Sequence, residues 1–267
     1  MKRKGNELGN LSSQFFAYIQ LKNKNVIRTG DIAPVLNITK SQESDLLRRL
    51  ADSGWIVRLK RGVYLVPDRL PVGGKYNPGS AIILKQLMKE YGGQYQITGP
   101  TAFNFYGLDN QVPNMFYVYN NRISGTRRIG SQSYLFIKTS GQRLGSITEI
   151  ATPQGISITY SSKSRTLMDA VYDWSRFNSL PRGYKWIESA LQAEPEIVSR
   201  LVDVTIKYSN QATMRRMGYL LDSLRQSPKL INQLSAKLSR SKSLIPWTPN
   251  RENRGKVNRK WGIILNG

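Results

Sequence analysis

The chain has 267 residues, and 40 Lys and Arg against 17 Asp and Glu give it a formal net charge of +23. A field of this sign attracts polyanions, so nucleic acid is the leading class of partner. Cysteine and histidine are both absent, which excludes disulfides, zinc fingers and Ser/His/Asp or Cys/His catalysis. No segment approaches the roughly 20 consecutive apolar residues that cross a bilayer, so the sequence predicts a cytoplasmic protein without a membrane partner.

Residues 1–75 have the element order of a winged helix-turn-helix domain. Apolar residues at three- and four-residue steps predict a helix over 8–24, and a short second helix is predicted at 31–36. Thr39 and Gln42 have the spacing of a capping box, which predicts the start of a third helix.

The third helix is predicted to end at Gly54, and a hairpin follows it. Polar and apolar residues alternate over 55–61, Gly62 turns the chain, and 63–66 returns. Helix, turn and basic hairpin within one small unit favour DNA binding. The alternatives are that the charges only solvate a surface, or that the winged helix binds protein.

The first turns of a recognition helix meet base edges in the major groove, and here they carry short polar and basic side chains. The predicted contacts from this helix are Thr39, Lys40, Ser41, Gln42, Ser44, Asp45, Arg48 and Arg49. The hairpin adds Arg58, Lys60 and Arg61, whose reach suits phosphates or the minor groove. Glu43 and Asp45 weaken the hypothesis, because carboxylates repel phosphates.

Residues 76–267 are predicted to form a larger α+β domain, so the fold class of the whole chain is α+β. The domain is expected to be strand-rich over 76–165 and helical over 166–240, with a basic tail over 241–267. Strand-like runs are "MFYVYN", "SYLFIK" and "ISITYS". A helix is predicted over 78–91, and the helical part should break at Pro195, near Asn210 and at Pro228.

The tail alternates basic and aromatic residues, a composition that also occurs in single-strand and RNA binders. Its candidate nucleic-acid contacts are Arg251, Arg254, Lys256, Arg259 and Lys260. The competing interpretation, which we favour, is that Trp247 and Trp261 dock on the domain and "WGIIL" forms a terminal strand.

Enzyme motifs are missing from the sequence. It contains no G-x-x-x-x-G-K-[ST] phosphate loop and no G-x-G-x-x-G between strand and helix. Asp169 and Asp173 share a helix face, but this spacing is more typical of a solvated or ion-paired face than of a metal site. The sequence therefore predicts no enzyme, catalytic residue, cofactor or metal.

Four stretches in order along the chain resemble the AbiEi family, which comprises type IV antitoxins and transcriptional regulators of abortive-infection toxin–antitoxin systems. They are "DSGWIVRLKRGVYLVP", "YQITGPTAFNFYGL", "YSSKSRTLMDA" and "RGKVNRKWGIILNG". The resemblance implies a recognition helix over 40–49 and a wing from Arg58 to Tyr64, which makes Tyr64 a fourth predicted contact of the hairpin with DNA. It also implies binding to inverted repeats in the protein's own promoter, which leaves dimerisation on DNA open.

The same resemblance implies a C-terminal domain that counters a partner toxin of the AbiEii nucleotidyltransferase type, with direct contact to the toxin left open. Two rival functions are kept beside it. One is an RNA-binding protein acting on tRNA or another structured RNA. The other is a Mg²⁺-dependent nuclease or nucleotidyltransferase that uses carboxylates of the second domain.

Overall fold

The computed structural model of the chain describes residues 9–71, 73–153, 155–239 and 243–266. Leu8, at the start of the first predicted helix, lies outside the described residues. The fold class is α+β, as predicted. The chain forms two compact units, of which the first contains the described residues up to Gly92, with Thr126–Tyr134 and part of 151–158. The domain boundary predicted at 75/76 stays a prediction.

The N-terminal part of the first unit combines helices with a small antiparallel sheet in the order β1-β3-β2. The helices are α1 Asn10–Leu21, α2 Lys40–Asp52 and α3 Ser80–Tyr91. The strands are β1 Val26–Arg28, β2 Val57–Lys60 and β3 Val63–Leu65. The hairpin turns at Gly62, whose φ of +72° suits a residue without a Cβ. The predicted hairpin is confirmed, and β1 extends it by a strand that the sequence did not reveal.

The short helix predicted over 31–36 is wrong, because this segment is a series of bends and turns. The backbone N–H groups of Val35 and Leu36 both donate to the carbonyl of Ile32. Pro34 has no N–H to donate, and the N–H groups of Ile32 and Ala33 are taken by a side chain from α2. The first N–H groups of any helix have no partner within it, so these contacts do not themselves prevent a helix. The turn is not continued because the chain leaves helical geometry at Asn37, whose φ is +52°, and the N–H of Ile38 returns to the carbonyl of Ala33.

The core of this part consists of apolar side chains from α1, α2 and the sheet. Its fully or nearly fully buried members are Phe15, Phe16, Ile19, Ile27, Ile32, Leu46, Leu47, Leu50, Ile56, Tyr64 and Val66. Burying each large aliphatic side chain contributes about 1.5–3 kcal/mol. Since the leucines of α2 all face this core, the opposite face of α2 is left for solvent or a ligand.

Residues 93–161 contain a mixed sheet in the order β6-β7-β5-β4-β9-β8. Its strands are β4 Tyr95–Ile97, β5 Phe116–Asn120, β6 Gly125–Ile129, β7 Gln132–Lys138, β8 Ile147–Ala151 and β9 Ser157–Ser161. A short helix, α4 Gly99–Phe105, follows β4. The sequence predicted β5, β7 and β9 but not β6 and β8.

The helical region breaks where the sequence predicted. Its helices are α5 Lys163–Tyr172, α6 Trp174–Phe177, α7 Arg182–Ala193, α8 Ile197–Tyr208, α9 Gln211–Ser223 and α10 Pro228–Ala236. Asn210 caps α9 by accepting the N–H of Thr213, and Pro228 opens α10. Among the described residues, no helix has both the length and the apolar character needed to cross a membrane.

The chain ends in a small sheet of β10 Ile245–Pro246, β11 Lys256–Asn258 and β12 Ile263–Leu265. The order is β10-β12-β11, with β12 parallel to β10 and antiparallel to β11. The predicted terminal strand is therefore confirmed. Trp261 lies two residues before β12 and is almost fully buried in the helical core.

Candidate nucleic-acid interface

The N-terminus of α2 is fixed by the predicted capping box. The Thr39 Oγ1 accepts the backbone N–H of Gln42 at 3.2 Å, and the Gln42 Oε1 accepts the backbone N–H of Thr39 at 2.8 Å. Both side chains were predicted to contact bases. Because the Gln42 carbonyl oxygen is held at the N–H of Thr39, its Nε2 is the group left free to meet a ligand.

The exposed face of α2 carries the remaining predicted helix contacts. Lys40, Ser41, Ser44, Asp45, Arg48 and Arg49 are all exposed. The Arg48 Nη2 donates to the Asp45 Oδ1 at 2.9 Å, and their side chains are 67% and 56% exposed. The hydrogen bond and charge of Asp45 raise the pKa of Arg48, so the guanidinium stays charged. An ion pair this exposed is held weakly, so a phosphate or base can replace Asp45 as the partner of Arg48.

Glu43 does not point at a ligand, which corrects the expectation that its carboxylate would repel phosphates. The side chain is fully buried. Its Oε2 accepts the N–H of Gly30 at 2.7 Å, and its Oε1 accepts those of Ile32 and Ala33 at 2.7 and 3.3 Å. Glu43 therefore joins the turn over 30–33 to α2 and sets the angle at which α2 is presented.

The hairpin keeps two of its four predicted contacts available. Arg58 and Arg61 are exposed, and neither has an ion-pair partner within the described part of the chain. The Lys60 Nζ instead donates to the carbonyl of Glu90 at 2.8 Å and lies 4.6 Å from the ring centre of Tyr91. Tyr64 is buried in the core. Only the 7% of Tyr64 that is exposed lines the groove described below, so its predicted contact with DNA is limited to that part.

The exposed side of α2 and the hairpin line one groove of about 480 Å³. Its lining includes Thr29, Ser44, Asp45, Arg48, Arg58, Arg61 and Tyr64. Asp52 lines it as well, so two carboxylates and three arginines give the groove both signs of charge. The sequence predicted the α2 and hairpin residues separately. It missed Thr29, for which the β-branched run "VIRT" was the available signal.

Residues 17–67 match a family model described as "Transcriptional regulator, AbiEi antitoxin". The AbiEi resemblance is confirmed over this segment, which contains the first of the four stretches, and it stays a prediction for the other three. The matched segment includes α2, the groove and the hairpin, and its description is that of a regulator in a toxin–antitoxin system rather than of an enzyme.

A solved structure also resembles the chain over nearly its whole length. The RV2827C protein from Mycobacterium tuberculosis is similar over 96% of this chain and 92% of its own, with 14% identity and a TM-score of 0.56. At this identity the likeness shows a shared fold alone. No curated protein matches the chain.

Outside the AbiEi-matched segment, the tail places its predicted contacts on the surface of the second unit. Arg251, Arg254, Lys256, Arg259 and Lys260 are all exposed. The Lys260 Nζ forms an ion pair of 2.7 Å with the Asp222 Oδ2, which also accepts the indole N–H of Trp261. Burial raises the pKa of Asp222. The hydrogen bonds from Lys260 and Trp261, together with the charge of Lys260, outweigh this effect, so the pKa is lowered overall.

The carboxylates considered for metal catalysis are occupied. Asp169 is fully buried and pairs with Arg165 at 3.0 Å and with Arg143 at 3.2 Å. Asp173 accepts the hydroxyl of Tyr119 at 2.6 Å. Within the described residues there is no group of three or more His, Cys, Asp or Glu that could hold a metal ion. Asp169 belongs to the ion-paired class that the sequence favoured over a metal site.

Proposed function

We propose that this protein is a DNA-binding autorepressor and antitoxin that binds inverted repeats in its own promoter and counteracts a nucleotidyltransferase toxin. In this proposal Lys40, Ser41, Ser44, Arg48 and Arg49 approach base edges from α2, with the Gln42 Nε2 beside them. Arg58 and Arg61 hold the phosphate backbone. Asp45 keeps Arg48 in place until a base or phosphate takes it over.

One observation carries the proposal. Arg48 from α2 and Arg58 and Arg61 from the hairpin line a single groove, inside the segment that matches a transcriptional regulator. Arg48 and the two hairpin arginines come from elements that are separate in sequence. Their convergence on one exposed surface is what a helix and wing need in order to hold a duplex.

Sequence-dependent binding tests the DNA half of the proposal. A gel shift of the full chain at moderate salt should show about a thousandfold tighter binding to the upstream region of its own operon than to a scrambled duplex. Equal affinity for both duplexes, or tighter binding to a structured RNA than to the upstream region, would contradict it. The RNA result would favour the rival RNA-binding function.

A single substitution tests the role of α2. Arg48→Ala should weaken operator binding roughly 5- to 150-fold and change base preference at one position of each half-site, because a base contact carries sequence information. Lys85→Ala is the matched control, since Lys85 is an exposed cation on α3. Uniform weakening on all duplexes would instead place Arg48 on a phosphate, and an unchanged affinity would remove it from the interface.

Co-expression tests the antitoxin half. If a neighbouring reading frame encodes a nucleotidyltransferase, its expression should arrest growth, and this chain should restore growth when both are driven from foreign promoters. Foreign promoters separate neutralisation from repression. Failure to restore growth would reject the antitoxin half and leave the repressor half standing.

A further inference from the structure

A slot in α9 anchors the C-terminal β11–β12 hairpin, whose first arm, the loop and strand over residues 250–260, is called the basic hairpin. A Cβ on Gly218 would lie 2.0 Å from the Trp261 ring, so only glycine leaves room for this indole. Trp261 is 1% exposed, and its indole N–H donates to Asp222 at 2.9 Å. The residues just before Trp261 are thereby held against a packed core.

The other end of the basic hairpin is also fixed. The Asn266 Nδ2 donates to the carbonyls of Thr248 and Glu252, both at 3.0 Å, and the Asn266 Oδ1 accepts the N–H of Thr248. Gly255 adopts a φ of +155°, and a Cβ there would lie 2.0 Å from the carbonyl oxygen of Leu265. A loop ordered in this way loses little conformational entropy when it binds a ligand.

The basic hairpin presents cations that the protein itself does not neutralise. Arg251, Lys256 and Arg259 are exposed, and none has an acidic partner within the described residues. Arg254 lies 3.8 Å from Glu252, but both side chains are more than 80% exposed, so this pair is weak. Lys260 is committed to Asp222.

Two further arginines on α9 lie beside β10 and its N-terminal flank and pair with no carboxylate in the described part of the chain. The Arg215 Nη1 donates to the carbonyl of Ser243 at 2.8 Å, and the Arg216 Nη2 donates to that of Pro246 at 3.1 Å. Both residues are 6% exposed. Because carbonyl dipoles do not cancel a formal charge, these guanidinium groups add to the positive potential around the basic hairpin.

The aromatic residues near the basic hairpin are not available for stacking with bases. Trp247 stacks on Tyr184 with ring centres 3.7 Å apart and meets the edge of Tyr219 at 4.9 Å. Trp261 is buried. Binding of single strands relies on such stacking platforms, whereas binding of duplex backbones needs charge alone.

We propose that the basic hairpin is a second contact of the chain with duplex DNA, which holds the phosphate backbone through Arg251, Lys256 and Arg259 without reading sequence. The proposal rests on the proposed function, because that function identifies duplex DNA as the polymer that is bound. The two differ in the binding property that each explains. The α2 surface sets the operator preference, whereas the basic hairpin sets the number of phosphates contacted.

The number of phosphates contacted can be measured from the dependence of affinity on salt concentration. Each lost contact should reduce the slope of log affinity against log salt by about 0.9 on duplex DNA. The triple variant Arg251→Ala/Lys256→Ala/Arg259→Ala should therefore lower the slope by about two to three on a scrambled duplex and on the operator alike. Its ratio of operator to scrambled affinity should equal that of the wild type.

The matched control is Lys185→Ala/Arg200→Ala/Lys229→Ala, which removes the same charge from exposed positions on α7, α8 and α10. Thermal unfolding of both triple variants checks that neither set of substitutions disturbs folding. The single variant Arg259→Glu is milder and should also lower the salt slope.

A slope equal to that of the control would overturn the proposal. Loss of binding to a folded RNA hairpin with an unchanged duplex slope would also overturn it and assign the basic hairpin to RNA. A wild-type protein without operator preference would reject the proposed function, while the slope on scrambled duplex would still decide the role of the basic hairpin.

Discussion

Two helices of this protein carry an arginine–aspartate pair, and the two pairs have opposite roles. On α2, Asp45 and Arg48 lie 2.9 Å apart and are 56% and 67% exposed. On α5, Arg165 and Asp169 lie 3.0 Å apart and are both fully buried. The distance is the same within 0.1 Å, so distance does not decide how firmly each pair is held. Burial decides it, because a solvated pair exchanges partners at little cost and a buried one does not.

The surroundings of the α5 pair show why it cannot exchange partners. Asp169 also accepts the Arg143 Nη2 and the hydroxyl of Thr98. Arg165 also donates to the carbonyl of Arg143 at 2.8 Å, and its guanidinium lies 4.3 Å from the ring centre of Tyr208. The pair is therefore the centre of a network that joins the start of α4, α5 and α8. Removing one member leaves an uncompensated charge in the core.

Breaking the α5 pair should have the largest effect on stability. Asp169→Ala should lower the free energy of unfolding by about 3–5 kcal/mol, because Arg165 and Arg143 lose their shared carboxylate in a buried site. Urea unfolding of the purified variant measures this loss. Asp203→Ala is the control, because Asp203 is an exposed carboxylate on α8. A loss of less than about 1 kcal/mol for Asp169→Ala would show that water reaches the site.

Glu43 is an intermediate case, since it is a buried anion held by backbone N–H groups and not by a cation. Glu43→Ala should lower the free energy of unfolding by about 2–4 kcal/mol, because the N–H groups of Gly30, Ile32 and Ala33 lose their acceptor. Operator affinity should fall as well, because the angle of α2 is no longer fixed.

Urea unfolding and a gel shift on the same Glu43→Ala sample check both effects. Ser41→Ala, on the exposed face of α2, is the control for stability. Full stability of Glu43→Ala would contradict the role assigned to this carboxylate.

Breaking the exposed α2 pair should have the smallest effect on stability. Unlike Glu43→Ala, it should strengthen binding to DNA. Asp45→Ala should leave the urea midpoint nearly unchanged, because so exposed a pair contributes little. It should tighten binding to any duplex severalfold, because a carboxylate near phosphates is removed and Arg48 is released. Weaker operator binding would show that Asp45 itself accepts a hydrogen bond from a base, as carboxylates do from cytosine.

Features with a local signal were predicted from the sequence. The capping box at Thr39 and Gln42, the alternation across Gly62 and the helix breaks at Pro195 and Pro228 each depend on residues a few positions apart. The same holds for the exposed face of α2, since the spacing of its leucines fixes which side is buried. The fold class followed from these signals, whereas the AbiEi likeness of the N-terminal segment followed from the resemblance of the stretch "DSGWIVRLKRGVYLVP" to that family.

The missed features depend on partners that are distant in sequence. β1 has only three residues, and it becomes a strand because Ile27 lies opposite Tyr64 in β3. The turn at 31–37 takes its shape from Glu43, whose acceptor role depends on N–H groups 10 to 13 residues away. The commitment of Lys60 to Glu90 likewise depends on α3, so the sequence alone could not remove Lys60 from the candidate interface.

The position of β12 between β10 and β11 has a consequence for synthesis on the ribosome. Both outer strands precede β12 in the chain, and neither has its partner until β12 has emerged. The indole that occupies the slot at Gly218 emerges only just before it. During translation the cationic surface of residues 250–260 therefore exists first as an unordered basic segment. It becomes a fixed surface only after β12 has been made, although the helices that support it precede it in the chain.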